Sequence, residues 1–462
     1  MQGIVAYGGY LPRYRLQRSA LGATLGMPVG RGARTVASHD EDPTTMAVEA
    51  SRIAVGDAPV APASVWFATS RAPYLDKTNA TGIGAALQLD AHIGAYDVGG
   101  ALRSSYAALR AASSSAEPAL AALADVRFGL PGSDEEAWGG DGAAAFLFGD
   151  TDPIAAIAST ASVSREFMDR WRAEGEAGPT KWDERWSVGI HGDLMQAAAD
   201  EALKRAAVDA SDVDHLVVSS AHRRAVTAVT RSFGPDVLIG NRLDEVGYAG
   251  VADPGLGLVE ALAAAGRDQV ILLLVGADGA DAMVLRTTAA IAAHPRRPLD
   301  SQPGIDVEVA RYHTWRGLLR REPPRRPEPT PPASPPSARN EQWKFGFIAS
   351  ECASCGARHM PPHRVCQHCH AVDQMAPVSL RDSVATVRTF TIDHLAFSLS
   401  PPTVVAVLDF EGGGRYPCQI ADVEAGDVHV GMQVQMTYRV LDVARNGARN
   451  YFWKARPLTT ED

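Results

Sequence analysis

The 462-residue sequence predicts an α/β protein that carries a small all-β module at its C-terminus. Three observations lead to this fold class. Strand-like and helix-like patterns alternate over residues 1–300, a proline-rich segment follows, and four clustered cysteines then precede a series of short strand-like runs. A chain of this length exceeds what one hydrophobic core serves, so we expect a large body and at least one appended domain.

The first 300 residues predict a sheet whose strands are separated by amphipathic helices. Ala-rich helical patterns begin near Thr44, Ser105 and Asp193. Helices of this length connect strands by crossovers, which predicts a mainly parallel sheet, either doubly wound or built as two similar halves. The strand-like runs are GIVAYG (3–8), SVWFATS (64–70), HLVVSS (215–220) and QVILLLVGA (269–277).

Residues 321–340, REPPRRPEPTPPASPPSARN, predict a linker. Eight of these twenty residues are prolines. Proline lacks the amide hydrogen that helices and sheets use, so we expect extended polyproline II and no helix. At ~3.1 Å per residue such a segment spans about 60 Å. We interpret it as a domain boundary.

Four strand-like runs after the cysteine cluster predict a small closed or nearly closed barrel. They are VATVRTFTI, TVVAVLDF, RYPCQIADV and MQVQMTYRVL, with turn signals such as Gly412–Gly414 between them. A barrel of the OB type could also bind single-stranded nucleic acid, so the charge of this region matters. Residues 341–462 hold eleven Lys and Arg against thirteen Asp and Glu. A groove for phosphates needs the opposite sign, which argues against nucleic acid as a partner.

The cysteine spacing predicts one structural zinc ion. Two C-x2-C pairs lie ten residues apart, and each pair can present two thiolates from one tight knuckle. Four protein ligands complete a tetrahedral shell and leave no open position, so the metal should stabilise the fold and not catalyse. The four ligands are Cys352, Cys355, Cys366 and Cys369.

The fifth cysteine, Cys418, lies alone in a strand-like run and is interpreted as a small buried hydrophobe. Residues 1–351 contain no cysteine, so the body has neither a disulfide nor a cysteine nucleophile. Several histidines near the zinc ligands are interpreted as surface groups or groups that support the ligands. These are His359, His363, His368 and His370.

Charge and the N-terminal residues narrow the class of protein. The formal net charge of -10 argues against a chain that coats nucleic acid. The opening MQGIVAYGGYLP has no basic segment and no long apolar run, so we expect neither a signal peptide nor a membrane span. We therefore expect a cytoplasmic protein.

Several stretches of the body resemble hydroxymethylglutaryl-CoA synthases of the archaeal and bacterial type, members of the thiolase superfamily. The resemblance is carried at the start by GIVAYGGYLPRYRL (3–16) and DEDPTTMAVEASRIAV (40–55). APYLDKTNATGI and WGGDGAAAFLFGD fit the first half of that family, and DVDHLVV, GYAGVADPGLGLVEAL and VILLLVGADGADA fit the second half. The C-terminal segment resembles a rubredoxin-like zinc ribbon joined to an OB barrel, a module that accompanies thiolases and synthases.

The resemblance implies a thiolase-like five-layer αβαβα body, a homodimer, CoA thioesters as ligands and a partner protein of the thiolase family. It also implies domain boundaries. We assign residues 1–150 and 151–320 to the two thiolase-like halves, 321–340 to the linker, 341–375 to the zinc ribbon and 376–462 to the OB barrel.

The family's catalytic residues do not carry over to this sequence. Leu102 falls where the family has its nucleophilic cysteine, and Ser70 falls where the synthases have a glutamate base. Ungapped spacing puts Ser219 at the family's histidine, with His222 the nearest histidine. Tyr248, in GYAG, replaces the asparagine of a Gly-Asn-Thr-Gly turn.

These residues lead to two hypotheses of different class. The first is Cys-independent carbon–carbon chemistry on an acyl-CoA, an aldol or retro-aldol reaction or an acyl transfer. There Tyr248 or His222 would transfer a proton with a pKa shifted towards neutrality, and amides at the start of the central helix would bind the enolate. The second is a non-catalytic subunit that binds CoA or scaffolds a thiolase or synthase. Under it Leu102 and Tyr248 pack, and His222 is a surface residue or meets CoA phosphates.

Overall fold

The computed structural model describes residues 2–299, 304–322 and 326–458. Residues 323–325 of the expected linker and 459–462 of the expected barrel domain lie outside the described residues. The chain divides into two compact units. The first comprises Met1–Ala37, Asp42–Gly84 and Leu89–Tyr312, and the second comprises Ser38–Glu41, Ala85–Gln88 and His313–Asp462.

The strands of the first unit are β1 (Gly3–Tyr10), β2 (Tyr14–Gln17), β3 (Ala33–Val36), β4 (Ser64–Thr69), β5 (Gly94–Gly99), β6 (Ala119–Asp125), β7 (Gly142–Gly149), β8 (Ala155–Ser164), β9 (Arg170–Trp171), β10 (Thr180–Lys181), β11 (His215–Ser220), β12 (Val270–Ala277), β13 (Gly279–Thr287) and β14 (Ile305–Asp306). Nine of them form one sheet with the order β11-β12-β13-β8-β1-β7-β6-β4-β5. Strands β9 and β10 form a separate pair, and β14, β2 and β3 form a small third sheet.

The expectation of a mainly parallel sheet is wrong. Parallel pairing is confined to β4 with β5 and β6, and to β11 with β12. The remaining neighbours in the large sheet pair antiparallel. The reason is local in one case, since β12 ends at Ala277 and β13 begins at Gly279, a connection too short for a crossover.

The large sheet is buried on both faces, as the side chains of β12 show. Alternate residues of β12 enter two different cores: Ile271, Leu273 and Val275 join one cluster, and Leu272 and Leu274 the other. A strand buried on both faces has apolar residues at every position, which explains the continuous apolar sequence from which β12 was predicted. The helices are α1 (Arg18–Leu25), α2 (Pro43–Gly56), α3 (Ala80–Ala86), α4 (Ser104–Ser113), α5 (Asp134–Trp138), α6 (Glu184–Ala206), α7 (Arg223–Phe233), α8 (Asp253–Ala264) and α9 (Val309–Trp315).

The second unit contains two short helices, a three-stranded sheet with the order β16-β15-β17, and a closed barrel with the order β18-β19-β20-β22-β21. The barrel confirms the predicted fold, although its last strand was missed. Trp453 of that strand is fully buried, and its indole Nε1 donates to the carbonyl of Phe345 at 2.6 Å. The elements are α10 (Ser334–Arg339), α11 (Glu341–Gly346), β15 (Ile348–Cys352), β16 (Arg358–His359), β17 (Met375–Ser379), β18 (Ala385–Asp393), β19 (Thr403–Phe410), β20 (Arg415–Ile420), β21 (Gln433–Val443) and β22 (Arg449–Pro457).

The expectation that the proline-rich segment holds no helix is wrong for its last part. Helix α10 has the sequence SPPSAR and carries its prolines at its start. Amides of the first helical turn have no partner within the helix, so proline loses nothing there, and its fixed φ suits the helix.

Buried charges inside the second unit pair with one another. Arg439 is fully buried and meets Glu41 Oε1 at 2.5 Å and Asp422 Oδ2 at 2.5 Å. Lys454 Nζ lies 2.8 Å from Asp40 Oδ2. A buried charge without a partner is expensive, so removing either cation would leave uncompensated carboxylates.

The two cysteine knuckles have matching backbone geometry. The amides of Gly356 and His370 donate to the carbonyls of Cys352 and Cys366 at 2.8 and 3.0 Å. Both donors adopt positive φ, 73° for Gly356 and 61° for His370. Each knuckle is therefore a tight turn that directs its two thiols to one side.

The four Sγ atoms fit a zinc ion. They all lie within 4.8 Å of one another, and Cys352–Cys369 and Cys355–Cys366 are each 3.6 Å apart. Zinc–sulfur bonds of about 2.3 Å place neighbouring sulfurs of a tetrahedron about 3.8 Å apart. His359 Nε2 lies 3.4 Å from Cys366 Sγ, which is the supporting position expected for a histidine beside the ligands.

None of the helices in the described ranges combines the length and hydropathy that crossing a bilayer requires.

We predict that Cys366→Ser loses the zinc and lowers the melting temperature of the second unit. A structural zinc supplies on the order of 10 kcal/mol of folding free energy in isolated zinc-binding peptides. Elemental analysis and calorimetry of the full chain measure both effects, with about one zinc expected at the cysteine cluster of the wild type and none there in the variant. Cys418→Ala is the matched control, because this buried thiol lies outside the cluster and its loss should leave zinc in place. A Cys366→Ser protein with full zinc and unchanged melting would contradict the assignment.

Candidate active site

A cavity of about 470 Å³ lies in the first unit, where several strands of the large sheet end. Ser70 follows β4, Gly100 follows β5, and Asp125 is the last residue of β6. Ser220 and Ala277, which end β11 and β12, also line it. Ligands of α/β proteins bind at the carboxyl ends of parallel strands, which makes this cavity the candidate active site.

Leu102 lines this cavity just before α4 and is 9% exposed. Its side chain also belongs to the hydrophobic core, so the packing interpretation and the cavity position hold together. The amides of Ser104 and Ser105 donate to the carbonyls of Ala101 and Leu102. Two of the amides that we expected to bind an enolate are thus already engaged within the turn.

Asp125 joins three segments around the cavity. Its Oδ1 accepts from the amide and hydroxyl of Ser70 at 3.2 and 2.8 Å, and its Oδ2 accepts from the amide of Val251 at 3.1 Å. The guanidinium of Arg127 approaches the same oxygen at 3.3 Å. Gly250 has a φ of 57°, and a Cβ there would lie 2.2 Å from Asp125 Oδ2, so only glycine permits this approach.

Tyr248 lies beside a buried ion-pair network. The guanidinium of Arg127 is 5.6 Å from the centre of the Tyr248 ring and pairs with Glu135 Oε2 at 2.6 Å. Glu135 also meets Arg170 at 2.8 Å. Burial alone would raise the pKa of Glu135, but the charges of Arg127 and Arg170 lower it to about 2. Tyr248 therefore lies beside an ion-pair network whose carboxylate, Glu135, stays ionised at neutral pH.

The pKa of Tyr248 moves in the direction opposite to the one expected. Burial raises it, and the positive charge of Arg127 offsets this only in part. The phenol is protonated across the neutral range. It can donate a hydrogen bond to an oxygen that gains negative charge, but it is not a base at neutral pH.

His222 pairs with a carboxylate that the sequence did not point to. Its Nε2 lies 2.7 Å from Asp169 Oδ2, and Nε2 of His191 lies 3.0 Å from the same oxygen. The two imidazole rings stack with their centres 4.0 Å apart. All three residues line the cavity. The structure thus brings Tyr248 and His222 to one cavity, while their catalytic roles stay a prediction.

Asp169 is poised as an anion. Burial would raise its pKa, but hydrogen bonds from Ser187 and His191, together with the charge of His222, lower it. Asp169 lies before the short strand β9 and His191 lies within α6, so 22 residues separate them. No local sequence pattern predicts such a pair, because only the tertiary fold brings the two segments together.

Ser219, at the position that spacing assigned to the family's histidine, is fully buried. Its hydroxyl donates to Asp253 Oδ2 at 2.5 Å. Burial raises the pKa of Asp253 to about 6, although the bonds from Ser219 and the Ala249 amide lower it. Ser219 therefore serves a buried carboxylate at the start of α8.

Comparison with protein families identifies the barrel. Residues 380–439 match the family described as "ChsH2, C-terminal OB-fold domain". This range begins before β18 and ends within β21.

Comparison with curated proteins finds hydroxymethylglutaryl-CoA synthases. The protein from Thermoplasma acidophilum is 28% identical over 249 residues, which covers 51% of this chain and 71% of that protein. The one from Archaeoglobus fulgidus is 27% identical over 318 residues and covers 64% of this chain and 92% of that protein. The one from Methanocella arvoryzae is 34% identical over 191 residues, 38% and 55% of the two chains.

Solved structures share the fold. The 3-oxoacyl-(acyl carrier protein) synthase III of Pseudomonas aeruginosa PAO1 aligns with a TM-score of 0.56 at 22% identity, over 62% of this chain and 98% of that one. An HMG-CoA synthase complexed with CoA aligns with a TM-score of 0.58 at 17% identity, over 68% and 89%. The chain therefore joins a thiolase-like α/β body, with hydroxymethylglutaryl-CoA synthases among its homologues, to a cysteine cluster suited to zinc and an OB-fold domain.

Proposed function

We propose that this protein makes or breaks a carbon–carbon bond in an acyl-CoA thioester, by an aldol or retro-aldol reaction and without a cysteine nucleophile. The observation that carries the proposal is the shared cavity: His222, paired with Asp169, and Tyr248 both line it. Leu102 lies just before α4 and lines the same cavity, and the body contains no thiol.

The comparisons support the substrate class. The relatives bear the name hydroxymethylglutaryl-CoA synthase, and one solved structure with the same fold is described as complexed with CoA. Basic side chains of the cavity could contact an anionic ligand, although the carboxylates of Glu166 and Asp278 line it as well. Arg71, Arg170 and Arg172 line it, and guanidinium groups bind phosphate and carboxylate well.

The proposed chemistry follows from the positions of these groups in the cavity. In the cleavage direction, the His222–Asp169 pair accepts the proton of a β-hydroxyl group. The electrons of the bond between Cα and Cβ then move into the thioester, which gives an aldehyde or ketone and an enolate. The neutral phenol of Tyr248 donates to the enolate oxygen, and a proton delivered to Cα completes a shortened acyl-CoA. The reverse order describes the condensation.

A non-catalytic subunit that binds CoA or scaffolds a thiolase or synthase is the alternative. The packing of Leu102 into the core favours it. Incubating the full chain with a panel of β-hydroxyacyl-CoAs and measuring aldehyde or ketone release separates the two functions. Release favours the enzyme, and CoA binding without release favours the scaffold.

We predict that Tyr248→Phe lowers turnover roughly a hundredfold while CoA binding persists. The change removes only a hydroxyl group, so folding should be preserved. Because burial raises the pKa of Tyr248, the rate of the wild type should show no tyrosine titration near neutral pH. Steady-state kinetics of both proteins across about pH 6–9 measures the turnover and its pH dependence. Histidine titrates in this range and an unperturbed tyrosine titrates above it.

Tyr96→Phe is the matched control for this variant. Tyr96 lies on β5, is partly exposed and packs on Trp66, with the ring centres 4.5 Å apart. The turnover of the Tyr96→Phe variant should equal that of the wild type. An unchanged rate in Tyr248→Phe would return Tyr248 to a packing role and leave the scaffold as the better function.

We predict that no stable acyl adduct forms on the body during turnover. Residues 1–351 contain no cysteine, so an acyl-enzyme would need a different nucleophile. Mass spectrometry of acid-quenched protein, with and without substrate, measures the adduct. The Cys418→Ala variant removes the thiol outside the zinc cluster and should behave as the wild type. A stable acyl group on any residue of the body would contradict the non-covalent mechanism.

A further inference from the structure

We propose that Asp169, His191 and His222 form a binding site for one first-row divalent cation, such as Zn²⁺ or Mn²⁺, in the wall of the cavity. Each residue offers one ligand atom, and these atoms all lie within 4.8 Å of one another. The site is separate from the cysteine cluster in the second unit. For its chemical role it rests on the function proposed above.

One of the two distances matches neighbouring ligands of one ion, and the other, 2.7 Å between Asp169 and His222, must lengthen by about 0.3 Å when an ion enters. Asp169 Oδ2 lies 2.7 Å from His222 Nε2 and 3.0 Å from His191 Nε2. Metal–ligand bonds of about 2.1 Å put adjacent ligands about 3.0 Å apart in an octahedron and about 3.4 Å apart in a tetrahedron. The three atoms come from a loop, from α6 and from the residue before α7, so the fold and not local sequence gathers them.

The surroundings hold the ligands in place. The side chain of Ser187 hydrogen-bonds to Asp169, and the Phe167 ring packs edge-on against His191 with the centres 5.2 Å apart. His191 is 3% exposed. Supporting contacts of this kind fix the orientation of ligands in metal sites and exclude bulk water from one side.

The donor set selects the class of cation. Two imidazoles and one carboxylate suit first-row transition cations and zinc, whereas Mg²⁺ and Ca²⁺ prefer oxygen ligands alone. Three protein ligands also leave positions open towards the cavity, which the four thiolates of the cysteine cluster do not. The geometry is that of a site where a ligand oxygen can join the ion.

The role follows from charge. A divalent cation lowers the pKa of a hydroxyl group bound to it. With the ion present, a β-hydroxyl would coordinate it and give up its proton to water, and His222 would act as a ligand. The proton that the His222–Asp169 pair accepts in the absence of metal would then leave from the coordinated oxygen.

Metal binding to the full chain tests the site. The protein is dialysed against Zn²⁺, washed and assayed by elemental analysis, and Mn²⁺ binding is followed separately by electron paramagnetic resonance. The variants are Asp169→Asn and His222→Gln. His92→Gln is the matched control, because His92 also lies 2.9 Å from a carboxylate, Asp90, but both are exposed, at 97% and 74%.

We expect two zinc ions per wild-type chain and one in Asp169→Asn, with Mn²⁺ binding at least tenfold weaker in both variants and unchanged in His92→Gln. If a variant does not fold, X-ray absorption of the zinc-loaded wild type decides: a population with nitrogen and oxygen ligands supports the site, and sulfur ligands alone overturn it. A wild type that binds no more zinc or Mn²⁺ than Asp169→Asn also overturns it, and the three residues are then a hydrogen-bonded group.

These measurements need no substrate. Bound metal without turnover on any β-hydroxyacyl-CoA would reject the proposed reaction and keep the site. Turnover by a wild type that binds no second ion would reject the site and keep the reaction.

Discussion

The cavity depends on one buried carboxylate, that of Asp125 at the end of β6. It binds Ser70 after β4 and the Val251 amide in the turn that follows Tyr248, and it meets Arg127. A buried anion must be fully paired, so each of these bonds is costly to break. The ends of the strands and the tyrosine turn are therefore held at fixed distances before any ligand arrives.

Around this anchor the environment separates two kinds of polar group. On one wall, burial keeps the phenol of Tyr248 neutral beside the cation Arg127. Elsewhere in the lining, hydrogen bonds and neighbouring imidazoles lower the pKa of Asp169, and His222 lies within hydrogen-bond distance of it. Pushing pKa values apart in this way is how a protein separates a proton donor from a proton acceptor at one pH. The aldol chemistry proposed for this cavity depends on that separation.

The second unit solves a different physical problem. Its ribbon is a three-stranded sheet, and the two cysteine knuckles are placed so that one zinc ion could join them and stabilise it. Its barrel closes on itself, which removes exposed strand edges, and is filled by large side chains such as Trp453 and Tyr438. The match of residues 380–439 to an OB-fold family agrees with this architecture.

The sequence alone determined what depends on local pattern: the apolar runs of β11 and β12, the paired cysteines and the short strands of the barrel, because periodicity and spacing act within a few residues. Resemblance added the thiolase-like fold and pointed to Tyr248 and His222. Only the tertiary structure decided the antiparallel pairings, the partners Asp169 and His191, and the direction in which the pKa of Tyr248 moves. Those properties arise from contacts between distant segments and from burial, and burial is set by everything that packs around a residue.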